Sequence, residues 1–487
     1  MATLSEGESR RSRLAALLRT SGKGLGLLLD EPARGLHEAD VKRLASALAE
    51  LKQRHTLIIN EHRISLAAVA DHVLEIGPGP GSQGGRIVNC GPPQRVFTKD
   101  WHPQINRSQL PVSSNGPWLS IKGAELYTLQ NVDCRIPLGR LTCITGVSGS
   151  GKSTFVRGIL LPALTHSLPK RVEAENLIWS GGTWKTISGT ASIDSVLALE
   201  PRSPGAQRRS TVATLLGLAE DVRRIFAAAP EARKAGLTAT DFGWNAGHGR
   251  CQTCLGLGEV EDGDTWVSCP HCGGNRFGEE ALGVRVEGLT VADLLNLPIL
   301  DLKEHPFLAC AKWVPLVEQV IALDLGYLTL GRRIDQLSGG EHQRLRIART
   351  LGTERPKGLF LVLDEPSAGL HPHDVSQLLL VLDRVVGHGR NTVVLVEHNL
   401  ALIRASDWIV DFGPGGGPGG GKIVGQGSPV TIAKRKTPTG RALSDTKFRL
   451  HPTAAKSKPV VDQEKPEQSK TSPEDSARSG RQWLRRL

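Results

Sequence analysis

Apolar residues in this chain collect in short unbroken runs that stop at polar groups able to do chemistry. The string LFLVLDEP, residues 359–366, ends in two carboxylates, Asp364 and Glu365. The string TVVLVEH, residues 392–398, ends in His398. CITGVSGSGKST, residues 143–154, passes from an apolar strand through a glycine-rich turn to a helix start. Such runs, bounded by turn residues, predict β-strands, and strands alternating with helix starts predict an α/β fold.

The pattern occurs twice. LLLDEPARGLH pairs with LVLDEPSAGLH, and TLIINEHRISLAAVADHVLEIGPG pairs with TVVLVEHNLALIRASDWIVDFGPG. LSEGE, from Leu4, pairs with LSGGE, from Leu337. The offset is 333 for Ser5 and Ser338, 334 for Asp30 and Asp364, and 336 for His62 and His398. Near-constant offsets in a fixed order signal duplication of one domain. The copies are unequal, because only the second is preceded by a phosphate-loop string. The expectation is therefore a chain without its first phosphate loop, organised as the later half of a first domain (1–97), a linker (98–117) and a complete second domain (118–433). The first copy's bare strands, LGLLLDEP and TLIINEH, would form part of a sheet with uncovered edges.

Composition refines this picture at the C-terminal end. The formal charge is +11, yet residues 434–487 alone carry 14 Lys and Arg against 6 Asp and Glu. The basic balance is mostly a property of this Ser-, Pro- and Lys-rich tail, which reads as disordered. It says little about a nucleic-acid surface on the folded body. No apolar run reaches membrane-spanning length, and no signal peptide is visible, so a cytoplasmic protein without a membrane partner is expected.

GVSGSGKS fits the phosphate-loop pattern from Gly146 to Ser153. Gly146, Gly149 and Gly151 let the backbone turn its N–H groups toward phosphates, and the helix start at Lys152, Ser153 and Thr154 adds a favourable dipole. Lys152 is expected to reach the β- and γ-phosphates of ATP, and Ser153 with Asp364 to hold Mg²⁺. Glu365 is placed to polarise the attacking water, and His398 to meet the γ-phosphate. A histidine at a strand end is ordinarily a surface residue; its company here argues for catalysis.

LSGGE in this setting resembles the signature loop of ABC-type ATPases, where the loop serves the nucleotide of the opposite domain. The resemblance implies that Ser5 and Gly7 complete the site at Lys152, and that Ser338, Gly339 and Gly340 face the first copy. Two departures stand out. Glu6 replaces a glycine of the signature, and Glu200-Pro201 stand where Asp-Gln would be expected.

The 185 residues between Lys152 and Ser338 hold GRCQTCLGLGEVEDGDTWVSCPHCGGNRF, residues 249–277. This is C-x₂-C-x₁₄-C-x₂-C, and Cys251, Cys254, Cys269 and Cys272 are expected to bind structural Zn²⁺ in a module over about 243–280. A redox pair is the weaker alternative.

Together with QLSGGEHQRLRIA, LVLDEPSAGLHPHD and DFGPGGGPGGGKIVGQG, these strings resemble the UvrA family, the damage-recognition ATPases of bacterial nucleotide excision repair and its excision nuclease. The resemblance covers residues 4–430 and implies two ABC domains with zinc modules, dimerisation on double-stranded DNA, and hand-over to a UvrB partner. The family's UvrB-contacting region follows the first phosphate loop and is not found here, so that contact is not carried over. Three readings remain open: one half of a split protein completed by a chain carrying the missing phosphate loop, a reduced paralogue for repair or drug resistance, and a fragment. The first is favoured. A DNA-binding scaffold that does not hydrolyse ATP is the alternative to an ATPase. Transporter motors and chromosome-organising ATPases fit less well, since they carry no zinc insertion or else long heptad repeats.

Overall fold

A computed structural model describes residues 24–33, 36–77, 84–97, 107–168, 172–173, 178–199, 208–263, 265–306, 313–353, 358–368, 370 and 372–444. Residues 107–444 build an α/β domain on a seven-stranded sheet. Its order is Lys422–Gly427, Trp408–Gly413, Leu141–Gly146, Thr392–Val396, Leu359–Asp364, Ser195–Leu199 and Val172–Glu173. All neighbours run parallel except the Lys422–Gly427 edge.

The central strands are buried on both faces, which explains their unbroken apolar sequence. Successive side chains point to opposite faces. Leu361, Leu363, Val393 and Leu395 join a core that contains Leu345 and Leu378. Phe360, Val362, Val394 and Val396 join one that contains Phe155 and Ile159. A three-stranded antiparallel sheet of Leu129–Pro137, Trp118–Leu126 and Thr186–Ser188 closes over the second core.

The first copy is built differently. Gly26–Asp30 and Thr56–Asn60 form a parallel pair, and Val73–Gly77 and Arg86–Gly91 an antiparallel pair, in two separate sheets. Their counterparts in the second copy lie on either side of Leu141–Gly146, the strand that leads into the phosphate loop. The helix Glu38–Leu51 covers one face through Val41, Leu44, Leu48 and Leu51. The other face of the parallel pair is bare, with Leu28 77 % and Ile58 63 % exposed, and in the antiparallel pair Ile76 is 71 % exposed.

The described parts of the expected linker and tail carry tertiary ties. Arg107, within the expected linker, is buried; its guanidinium donates to both oxygens of Asp407 at 2.8 and 2.9 Å and to Asp383 at 2.8 Å. The basic tail expected to be disordered from Lys434 begins with a helix, Pro438–Ser444. Thr437 and Thr439 hydroxyls donate to Asp411 at 2.8 and 2.7 Å, a tertiary tie that outweighs the polar composition. Residues 445–487 lie outside the described ones. Among the described residues no helix is long and apolar enough to cross a membrane.

Candidate nucleotide site and cysteine centre

The turn after Leu141–Gly146 needs its glycines. Gly146, Gly149 and Gly151 have φ of 138°, 73° and 100°. A Cβ on Gly146 would stand 2.1 Å from the Phe412 carbonyl oxygen. A helix begins at Lys152, whose buried ammonium donates to the Gly146 and Val147 carbonyls at 3.0 and 2.9 Å. Ser153 and Thr154, both half-buried, follow on this first turn. Burial pushes Lys152 down to about 8, against the pull of Glu365 and Asp364.

Glu365, one residue past its strand, is held at φ 44°, and its counterpart Glu31 at φ 42°. A glutamate in the left-handed region costs about 1 kcal/mol or more and persists where the surroundings impose it. The same left-handed glutamate thus recurs at matching positions of the two copies. Burial, with Asp364 and Glu397 behind it, lifts Glu365 to about 7. His398 Nε2 lies 3.8 Å from the Glu365 carboxylate. Burial, then Lys152, hold His398 well below its ordinary range, so it is neutral.

The first copy reaches into this site. The His37 and His398 rings meet edge to face at 6.2 Å. Asp40 accepts from the Ser148 N–H of the phosphate loop at 3.5 Å. Arg63 donates to the Leu36 carbonyl at 2.7 Å, which fixes it beside this contact. Lys152, Asp364, Glu365 and His398 are thus gathered at one edge, facing residues of the duplicate. Ser338 caps the helix Gly339–Thr353: its hydroxyl accepts from Glu341 N–H at 3.2 Å, and its N–H donates to the Glu341 carboxylate at 2.6 Å. Tyr327 donates to the same carboxylate. Ser5, Gly7, Glu6, Glu200 and Pro201 lie outside the described residues.

No protein-family model matches the chain. It is 37 % identical over 460 residues to the UvrABC system protein A of Thermus thermophilus, covering 91 % of this chain and 47 % of that protein. It is also 37 % identical over 458 residues to the Methanothermobacter thermautotrophicus protein of the same name. The crystal structure of UvrA2 from Deinococcus radiodurans superposes with a TM-score of 0.80 at 37 % identity, over 91 % of this chain and 54 % of that one. Over nine-tenths of its length the chain is similar to UvrA proteins. It spans about half the length of the curated relatives it matches. A ribosome-bound archaeal Pelota and ABCE1 model, at 17 % identity and TM-score 0.51, shares the ABC ATPase fold alone.

Within this domain two residues at the site escape motif reading. Glu397 is buried, and its carboxylate accepts the N–H groups of Ser367 (2.8 Å), His398 (2.8 Å) and Asn399 (3.0 Å). It therefore ties the loop after Glu365 to the loop that carries His398. Glu61 repeats the arrangement, accepting from Ala33, His62 and Arg63. The glutamate preceding the histidine in both copies was the available signal. The other residue is Arg157, whose guanidinium donates to Asp364 at 2.6 Å.

The four motif cysteines converge, buried, with all ligand atoms within 4.8 Å of one another. Cys251 and Cys269 sulfurs lie 3.9 Å apart, and those of Cys254 and Cys272 3.7 Å. A tetrahedral Zn–S length of about 2.3 Å implies S–S edges of about 3.8 Å, so the donor set fits zinc. The hairpin Glu259–Asp262 and Thr265–Ser268 grows from this centre. Glu259 accepts from Arg333, just ahead of Ser338, which couples the cysteine module to the signature segment.

Proposed function

We propose that this chain is a UvrA-type ATPase that binds double-stranded DNA in the cytoplasm and acts in damage recognition for nucleotide excision repair. The observation that carries the reading is the convergence of Lys152, Asp364, Glu365 and His398 at a glycine-built phosphate loop opposed by His37 and Asp40 of the duplicate. The N–H groups of the loop and Lys152 receive the phosphates. Ser153 and Asp364 are hard oxygen donors suited to Mg²⁺, which neutralises phosphate charge when bound. Glu365, lifted to about 7 by burial, accepts the proton of the attacking water as the γ-phosphoryl bond to the β-phosphate breaks, giving ADP and phosphate. Neutral His398, beside Glu365, orients that water or the γ-phosphate. The resemblance to ABC-type signature loops would give Ser5 and Gly7, which lie outside the described residues, the role of completing the site. The four cysteines hold zinc and present the hairpin.

The separation of the first copy's strand pairs favours a second element. A strand leading into a phosphate loop would stand between Thr56–Asn60 and Val73–Gly77, by analogy with Leu141–Gly146 in the second copy. With it, Asp30, Glu31 and His62 would serve a second nucleotide opposite Ser338, Gly339 and Gly340. No UvrB contact belongs to the proposal. Hydrolysis of ATP by the purified chain, with and without duplex DNA, tests the reading beside Lys152→Ala and Glu365→Gln. DNA-modulated turnover lost in both variants supports it. ATP binding without turnover leaves a scaffold, and turnover insensitive to both substitutions overturns it.

A further inference from the structure

Arg157 stands one turn past Lys152 and Ser153, on the π-helical turn Val156–Leu160 that interrupts the phosphate-loop helix. Turns of this kind bulge a helix and redirect its side chains, often at functional sites. Here the redirected side chain reaches the end of the Leu359–Asp364 strand. Its Nη2 donates to Asp364 Oδ2 at 2.6 Å, a short charge-assisted bond between side chains 23 % and 11 % exposed. The guanidinium also lies 5.7 Å from the centroid of the Trp179 ring, and the Trp179 N–H donates to the Arg157 carbonyl at 2.8 Å. The arginine is thus held between a carboxylate and an aromatic face.

A magnesium ion ordered by Asp364 needs the same carboxylate. Two cations rarely share one small acceptor, because each raises the Coulomb energy of the other at contact distance. We propose that Arg157 is a tethered rival of Mg²⁺ for Asp364, and that it sets the Mg²⁺ concentration at which this site loads nucleotide. Loading then exchanges one positive partner of Asp364 for another, and the displaced guanidinium moves relative to the Trp179 ring. The inference rests on the proposed role of Asp364 in the magnesium shell.

The test titrates MgCl₂ into the full chain at a fixed concentration of a fluorescent, non-hydrolysable ATP analogue and reads the midpoint of analogue binding. Arg157→Gln removes the rival charge and should lower the midpoint about tenfold, the worth of one charge-assisted hydrogen bond. Arg157→Lys keeps the charge and should stay near the wild type. A midpoint in Arg157→Gln that is unchanged or raised overturns the proposal, as it would if the arginine only clamped helix to strand. Asp364→Asn separates the two levels of the inference. Wild-type Mg²⁺ dependence in that variant overturns the site reading itself, whereas loss of dependence beside an unmoved Arg157→Gln overturns the rivalry alone. Should Arg157→Gln fail to fold, Trp179 emission in the wild type, with Trp179→Phe as reference, answers the question. A change that saturates at the Mg²⁺ midpoint supports displacement, and its absence overturns it.

Discussion

Replacing Glu397 with glutamine keeps the size of the side chain and removes one of its two acceptor oxygens. The remaining oxygen can keep the His398 and Asn399 N–H groups, at 2.8 and 3.0 Å in the native arrangement. The new amide then turns its own N–H toward that of Ser367, which had donated at 2.8 Å. Losing a hydrogen bond to a charged acceptor costs about 1.5–3 kcal/mol. Part of this is offset, because burial already holds the Glu397 carboxyl above its ordinary range, a penalty that glutamine escapes. The net expectation is a loss of about 1–2 kcal/mol, read by urea denaturation. Activity should suffer more, since Ser367 follows Glu365 in the same turn. ATP turnover should fall about tenfold or more while ATP affinity changes little, because the loss is one of orientation. The duplicate supplies the control: Glu61 makes the same three bonds in a more open setting, and Glu61→Gln should cost under about 1 kcal/mol. Full turnover and native stability in Glu397→Gln would refute the reasoning, as would equal losses in the two variants.

Three further outcomes follow. Glu365 has a folded value of about 7, above its unfolded one, so its protonated form favours the fold; that contribution is complete below about 4.5 and is lost as pH rises through 7. Glu365→Gln should stabilise the chain by about 2 kcal/mol at pH 8.5, discounted because the side chain is 29 % exposed, and by nothing at pH 4; a gain constant across pH would count against it. Elemental analysis should find one zinc held by Cys251, Cys254, Cys269 and Cys272, and a strong chelator should expose the Glu259–Ser268 hairpin to protease, whereas unchanged cleavage would argue against a metal centre. Gly146→Ala, which meets the Phe412 carbonyl, should cost about 3 kcal/mol or more and abolish nucleotide binding, while Gly417→Ala, at φ 61° with open space around it, should cost about 1 kcal/mol; similar melting losses would contradict the clash.

The strands and the residues at their ends were legible because their signals are local. An apolar run that stops at Asp364-Glu365 or His398 states both the element and its chemistry, and two CxxC pairs state a shared centre. Glu397 was overlooked although both copies carry it, since its role depends on three N–H groups that only the fold brings together. Arg157 was illegible for a plainer reason: its partner lies 207 positions away. The helix Pro438–Ser444 was hidden by basic, polar composition, and its order comes from Asp411 rather than from propensity. The approach of His37 and Asp40 to the second copy's site is a docking geometry, which the constant offset of a repeat implies but does not position.

The central claim is that ATP is held by the loop from Gly146 to Thr154 through Lys152. Equilibrium titration of ATP into the wild type and Lys152→Ala, with melting curves confirming that both are folded, tests it most directly. Loss of a buried ammonium from the phosphates predicts affinity about a hundredfold weaker in the variant. Equal affinity in the two proteins would place the nucleotide elsewhere and contradict the account.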